Sequence, residues 1–248
     1  MSYVHGFHAV REVLTTHPER VRSLHYVQGR RDSRVQELIA LAKEAGLRFE
    51  AVDRAWLDSR VDGAHQGVAA YCQALAPMSE YQFLPMLATL PKPRLLLVLD
   101  GLTDPRNLGA CLRSANAAGV QAVIFPERHT APINDVVLKT AAGGAEALTL
   151  VAVTNLARHL DALKAAGFWL VGTDDQVELP WHGADYRGDI ALIMGSEGEG
   201  MRRLTREACD HLVGIPMAGS VSSLNVSVAA GILLFEVVRQ RTSVESVK

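Results

Sequence analysis

The sequence predicts an α/β protein whose larger part is an open parallel sheet with helices on both faces. Three observations carry this reading. Residues 95–99, 122–125, 169–171 and 190–194 are short, mostly unbroken apolar runs, as expected of strands buried on both faces. Segments with helical spacing separate those runs. Polar loops follow them, and ligands bind at the carboxyl ends of strands in open parallel sheets.

In chain order, Phe7, Val10 and Leu14 are spaced as one helical face. Residues 22–27 form a short strand candidate. Val35, Leu38, Ile39 and Ala42 make a second helical stripe, ended by Gly46. Residues 49–52 and 68–72 are further strands. Together these predict a small α/β domain over residues 1–73, with 10 basic and 9 acidic residues. Residues 74–91 contain Pro77, Pro85 and Pro91, no glycine, no base and one acid, Glu80. Proline at this density breaks regular structure, so the stretch is read as a linker of roughly 18 residues with room for one short helical turn. The second domain, 92–248, adds shorter strand candidates at 148–151 and 212–215. Its predicted helices cover 108–118, 135–142, 156–166 and 201–208, with a last helix from about 224 to 239. Strands alternating with helices give the parallel sheet.

The 248 residues carry 25 Lys+Arg against 27 Asp+Glu, a net charge of −2, which excludes a polybasic nucleic-acid coat. Arginine nevertheless outnumbers lysine 20 to 5, and arginine makes the bidentate phosphate contacts that lysine makes poorly. Cys72, Cys111 and Cys209 lie far apart with no CxxC pair, which points to free thiols in a reducing compartment. No apolar run reaches the ~20 residues of a membrane span. The first ten residues lack a signal peptide's basic and apolar regions. A cytoplasmic protein without a membrane partner is expected. There is no HExxH and no Cys/His cluster at zinc spacing, so no metal is expected. Asp174-Asp175 reads as a solvated turn rather than a magnesium site.

Three loops carry chemistry. After residue 99 comes Asp-Gly-Leu-Thr-Asp-Pro-Arg-Asn-Leu-Gly-Ala-Cys-Leu-Arg, with Asn107 where a helix N-cap is expected and Arg113 six residues on. From spacing alone these are a capping residue and a solvated arginine. After residue 194 comes Gly195-Ser-Glu-Gly-Glu-Gly200-Met, in which glycine lets the backbone approach a ligand closely. It is neither the dinucleotide GxGxxG nor a P-loop. Glu197 and Glu199 would repel a phosphate and suit a cationic or neutral ligand, or acid/base work. After residue 215 comes Pro-Met-Ala-Gly-Ser-Val-Ser-Ser-Leu-Asn-Val-Ser-Val-Ala. Here Ser222 and Ser223 can cap the last helix, and small residues Ala229, Ala230 and Gly231 follow.

In this order and at this spacing, the three segments resemble the three motifs of the SpoU (TrmH-type) branch of the SPOUT RNA methyltransferases. Val-Asp-Gly-Ala-His-Gln-Gly-Val at 61–68 resembles the ribosomal-protein-like substrate domain of some members. The chain is most similar to those members that methylate the ribose 2′-hydroxyl of a guanosine in 23S ribosomal RNA. The resemblance implies a deep trefoil knot near the C-terminus that binds S-adenosylmethionine around Gly195, Ile215 and Leu224, with Met194, Pro216, Met217 and Ser223 nearby. It implies a homodimer, for which the small-residue last helix is a surface, and a central role for Arg113. A guanidinium stays protonated, so Arg113 is expected to hold a phosphate and polarise the 2′-oxygen rather than act as a base. Glu197 is expected to orient Arg113 and to be a candidate proton acceptor. Asn107 and Asn225 are expected to fix the ribose and the loops. Arg106 is left outside the expected site. Competing readings are a transfer-RNA ribose methyltransferase and a non-catalytic RNA-binding assembly protein. The separate first domain favours ribosomal RNA, and the Arg113, Glu197 and Asn225 set favours catalysis.

Overall fold

The structure, a computed structural model, describes all residues except Arg31, Asp62, Asp175, Gln176, Glu178 and 246–248; at 243–245 it describes the backbone alone. The Asp174-Asp175 reading therefore falls partly outside the described residues. The chain divides into two compact units: Met1–Ala76 with Ala142–Ala147, and Pro77–Ala141 with Leu148–Lys248.

The first unit contains β1 (Ser2–His5), α1 (Phe7–Thr16), β2 (Val21–Val27), α2 (Ser33–Glu44), β3 (Arg48–Val52), α3 (Arg54–Asp58) and β4 (Val68–Cys72). Its sheet runs β1-β4-β2-β3, antiparallel except for the parallel β2–β3 pair. The spacing-based helices recur with defined ends. Asp32 caps α2 by accepting the Val35 N–H at 3.2 Å, and Gly46 stops the chain at φ 66° just beyond it. Val10, Val13 and Leu14 of α1 and Val35, Leu38 and Ala42 of α2 pack on Leu24, Val68 and Ala70 of the sheet. β1 and α3, four and five residues long, are too short to show a period and were not foreseen.

The second unit contains β5 (Met78–Ser79), α4 (Glu80–Met86), β6 (Leu95–Asp100), α5 (Pro105–Ala117), β7 (Ala122–Pro126), α6 (Asp135–Ala141), β8 (Thr149–Val153), α7 (Leu156–Ala165), β9 (Trp169–Thr173), β10 (Ile190–Gly195), α8 (Arg203–Ala208), β11 (His211–Val213) and α9 (Val226–Glu245). Its seven strands run β11-β9-β10-β6-β7-β8-β5, and every pairing is parallel. All residues of β6, β7 and β10 are buried, which accounts for their apolar runs.

Two local readings change. Of residues 74–91, read as a linker, those from Pro77 on belong to this unit, and they include β5 and α4. Ser79 and Gln82 cap α4 reciprocally, and Phe83 is fully buried in the sheet's core. That burial outweighs Pro85, which sits in the last turn. Helix α5 is capped by Asp104, not Asn107. The Asp104 carboxylate accepts the Arg106 N–H at 2.7 Å, and Pro105 occupies the first helical position, where its fixed φ suits a helix start.

One buried group gives a pH prediction. His159 is 1% exposed, and neither of its ring nitrogens has a hydrogen-bond partner. Burial lowers its pKa below the ordinary imidazole value, against the raising effect of Glu80, whose carboxylate lies 3.8 Å away. Below about pH 6.5 the unfolded chain takes up a proton that the folded chain resists, so this part of the stability is present above pH ~6.5 and lost as pH falls. His159→Phe is expected to flatten the decline of Tm below pH ~6.5; an unchanged Tm–pH profile would refute it.

Candidate functional site

The carboxyl ends of β9, β10 and β11 surround a cavity of about 540 Å³. Its walls include Thr173 and Asp174 at the end of β9, the 194–201 stretch at the end of β10, and Ile215, Met217 and 222–224 after β11. Of the residues expected around a cofactor, Met194, Gly195, Ile215, Met217, Ser223 and Leu224 line it; Pro216 does not. The Ser196–Gly200 turn is closed by two backbone hydrogen bonds of 3.0 Å, Ser196 N–H to Gly200 O and Gly200 N–H to Ser196 O. Gly198 and Gly200 take φ of 83° and 70°, a region that L side chains avoid.

Three expected residues meet in one hydrogen-bonded group. Asn225 Nδ2 donates to Glu197 Oε1 at 2.6 Å and to Asn107 Oδ1 at 3.0 Å. Its Oδ1 accepts the Ser227 N–H at 3.0 Å and the Ser227 hydroxyl at 2.6 Å. This fixes the amide's orientation. A backbone N–H can only donate, so Oδ1 must face α9 and Nδ2 must face the two loops. Asn225 is thus the residue that closes the start of α9, in place of the expected Ser222 and Ser223. Asn107, one turn into α5, is free of the capping task and presents its side chain to Asn225.

The contact expected between Glu197 and Arg113 is absent among the described residues. Arg113 is exposed on α5, and the Glu197 carboxylate is taken by Asn225. Cys111, on the buried side of α5, has its thiol pushed up to about 12, first by burial and then by the charge of Glu197. It is a packing residue, not a nucleophile. Of the small residues of α9, Ala230 is fully buried, Ala229 lines the cavity, and Gly231 lies beside Ser114 of α5.

Two contributors had no local signature. Asp100, the last residue of β6, is 1% exposed and holds Arg202 across the turn. Its Oδ2 accepts the Arg202 N–H at 3.0 Å and its Oδ1 accepts Nε at 2.6 Å. Arg206 Nε pairs with Asp174 at 2.5 Å on the cavity wall. Both are distant ion pairs that only strand order brings together. Among the described residues, no group of three or more His, Cys, Asp or Glu is placed to hold a metal, and no helix is long and apolar enough to cross a membrane.

The sequence model of the SpoU rRNA Methylase family matches residues 94–235, and that described as RNA 2′-O ribose methyltransferase substrate binding matches residues 3–78. The 23S rRNA (guanosine-2′-O-)-methyltransferase RlmB of Pseudomonas syringae pv. tomato is 50% identical over 240 residues, covering 97% of this chain and 96% of its own. The crystal structure of the SpoU methyltransferase AviRb from Streptomyces viridochromogenes, in complex with AdoMet, superimposes with a TM-score of 0.76. It is 28% identical and covers 97% of this chain and 90% of its own. A TrmH/SpoU tRNA modifying enzyme of A. aeolicus gives a TM-score of 0.57 at 30% identity, covering 66% of this chain and 84% of its own. Matched by the family's model over more than half its length, and half identical to a relative across nearly all of it, the chain belongs to the SpoU rRNA methylase family.

Proposed function

We propose that this chain transfers a methyl group from S-adenosylmethionine to the ribose 2′-hydroxyl of one guanosine in 23S ribosomal RNA, in the cytoplasm. The observation that carries it is the Asn107–Asn225–Glu197 group beside a cavity at the carboxyl ends of parallel strands. The named activity of the half-identical relative supports the substrate. Its match runs through both units, whereas the tRNA-modifying neighbour covers 66% of the chain. Residues 1–73 hold the RNA and 92–248 the chemistry, with Met78 and Ser79 of the stretch between them paired into the larger sheet. The knot forms where the chain after β9 inserts β10 beside β6 and returns β11 outside β9, a strand order that supports it.

The cavity suits the cofactor. Its volume lies in the usual range for small-molecule sites. Met194, Ile215, Met217 and Leu224 offer apolar surface for an adenine, and Gly195 leaves backbone groups accessible. Glu197 and Glu199 complement a cationic sulfonium and ammonium. Bound there, the cofactor supplies an electrophilic methyl group. The chain's own residues prepare the attacking oxygen. Arg113 holds the nucleotide's phosphate and stabilises negative charge growing on the 2′-oxygen. Glu197 is held by Asn225, not by Arg113, and accepts the hydroxyl proton on its carboxylate. Asn107 Nδ2 is available to hold the ribose. Ser223 supports the cofactor wall.

The chain acts as a homodimer. On α9, Val228 and Phe235 are each 51% exposed and stand seven residues apart, on one face of the helix. Phe235→Asp is expected to convert a dimer to a monomer in light-scattering chromatography; a monomeric parent chain would overturn this. The activity itself is tested with methyl-labelled cofactor and total bacterial RNA, followed by mapping of the modified nucleotide. Label at a single 23S guanosine ribose is expected. Label on transfer RNA, or on no RNA, defeats the reading.

A further inference from the structure

Arginine in the second unit is almost always engaged. Of its eleven arginines, eight bind a carboxylate or backbone carbonyls, from Arg94 on Asp189 to Arg241 on four carbonyl oxygens. Lys92 and Lys164 have carboxylate partners too. Among the described residues of this unit, the cationic head groups with neither hydrogen bond nor ion pair are Arg106, Arg113, Arg128 and Lys139. All four are exposed, and all lie within one stretch of chain, the segments that follow β6 and β7.

Two of these segments converge on the site. The Ala131 N–H donates to the Leu102 carbonyl at 2.8 Å, tying the loop after β7 to the loop after β6. A Cβ built at Gly101 would meet Ser196 Cβ at 3.9 Å and the His129 carbonyl at 4.0 Å, so the loops after β6, β7 and β10 meet there. Arg128 precedes His129, a non-glycine residue held at φ 64°. Arg106 and Arg113 are seven residues apart on α5, hence on one face and about 10 Å apart along the axis. Arg106 also stands at the second position of α5, where the helix dipole disfavours a cation and favours an anion. Its placement there gains nothing for the helix. It does gain a function if an anion lies between the guanidinium and the helix start.

We propose that Arg106 and Arg128, on segments that converge at the start of α5, are phosphate contacts that hold the RNA backbone next to the reacting nucleotide. Lys139, more than a turn into α6, is left out. The inference rests on the proposed RNA activity and names the residues that would hold its substrate at the reacting centre. Bidentate guanidinium contacts to phosphate are read as salt-dependent affinity.

The test uses the full-length chain and a transcribed fragment of 23S RNA that the parent protein methylates. The double variant Arg106→Gln/Arg128→Gln is expected to weaken RNA binding about tenfold near 0.1 M salt and to flatten the slope of log Kd against log salt by about 1 to 2. Its cofactor Kd should stay within twofold. Arg106→Lys/Arg128→Lys should keep the parent slope, which separates charge from folding. Arg187→Gln, whose parent residue is paired with Asp185, should change nothing. An unchanged slope in the glutamine variant overturns the proposal, as does a loss confined to cofactor affinity. A parent protein that neither binds nor methylates the fragment would instead defeat the underlying RNA reading.

Discussion

Replacing Arg113 with alanine is expected to lower methyl transfer about 100- to 1000-fold while the fold and the cofactor affinity survive. The reasoning starts from the side chain's surroundings. Arg113 is exposed, and no carboxylate among the described residues claims it, so removing it breaks no structural contact. Alanine is also the best helix former, and surface changes of this kind usually stay within about 0.5 kcal/mol. The loss should therefore appear in chemistry alone. A 2′-hydroxyl is a weak nucleophile, and a guanidinium aimed at its oxygen favours the charge that develops in the transition state. Arg113→Lys keeps the charge but not the planar fork, and should recover only part of the rate. Single-turnover rates at saturating RNA, with Tm and cofactor titration alongside, measure this. Full activity in Arg113→Ala would remove Arg113 from the mechanism.

Gly195→Ala is expected to cost about 3 kcal/mol or more and to abolish cofactor binding. A Cβ at this position would collide with the backbone of Gly200 and Met201, lying 2.6 Å from the Gly200 carbonyl oxygen. The obstacles are backbone atoms, so no side-chain rotation relieves the clash. Either β10 leaves its register beside β6, or the Ser196–Gly200 turn opens and loses its paired hydrogen bonds. Both outcomes dismantle the cavity wall. Gly198→Ala is the contrasting case: space is open there, and only the φ of 83° resists, so a milder loss of about 1 kcal/mol is expected. Urea unfolding and calorimetric titration of the cofactor distinguish the two. Equal stabilities for the two variants would show that close approach at Gly195 is not the constraint.

Much of the fold was legible because its signals are local. Five or six consecutive apolar residues describe a strand buried on both faces wherever it is placed, so β6, β7 and β10 stood out. The stretch at 74–91 was misread because three prolines are a strong local signal. The burial of Phe83 and the pairing of β5 with β8 belong to the tertiary structure. The α5 cap was misplaced for a related reason. Asp104 and Asn107 are both good caps, and the Pro105 between them decides for the first.

By itself, the sequence determined the α/β class, the three loops that carry chemistry and the residue types within them. Periodicity, glycine and the polar side chains that end a strand are written in consecutive residues. The tertiary structure decided who partners whom. Asn225 reaches Asn107 across 118 residues and Glu197 across 28. Asp100 reaches Arg202 across 102. Strand order sets such pairings, and strand order depends on how a whole chain closes its hydrogen bonds and core. The same closure settled which arginines are structural. Twenty arginines look alike in a list, and only the positions of the carboxylates show that Arg106, Arg113 and Arg128 are without a partner among the described residues of the second unit.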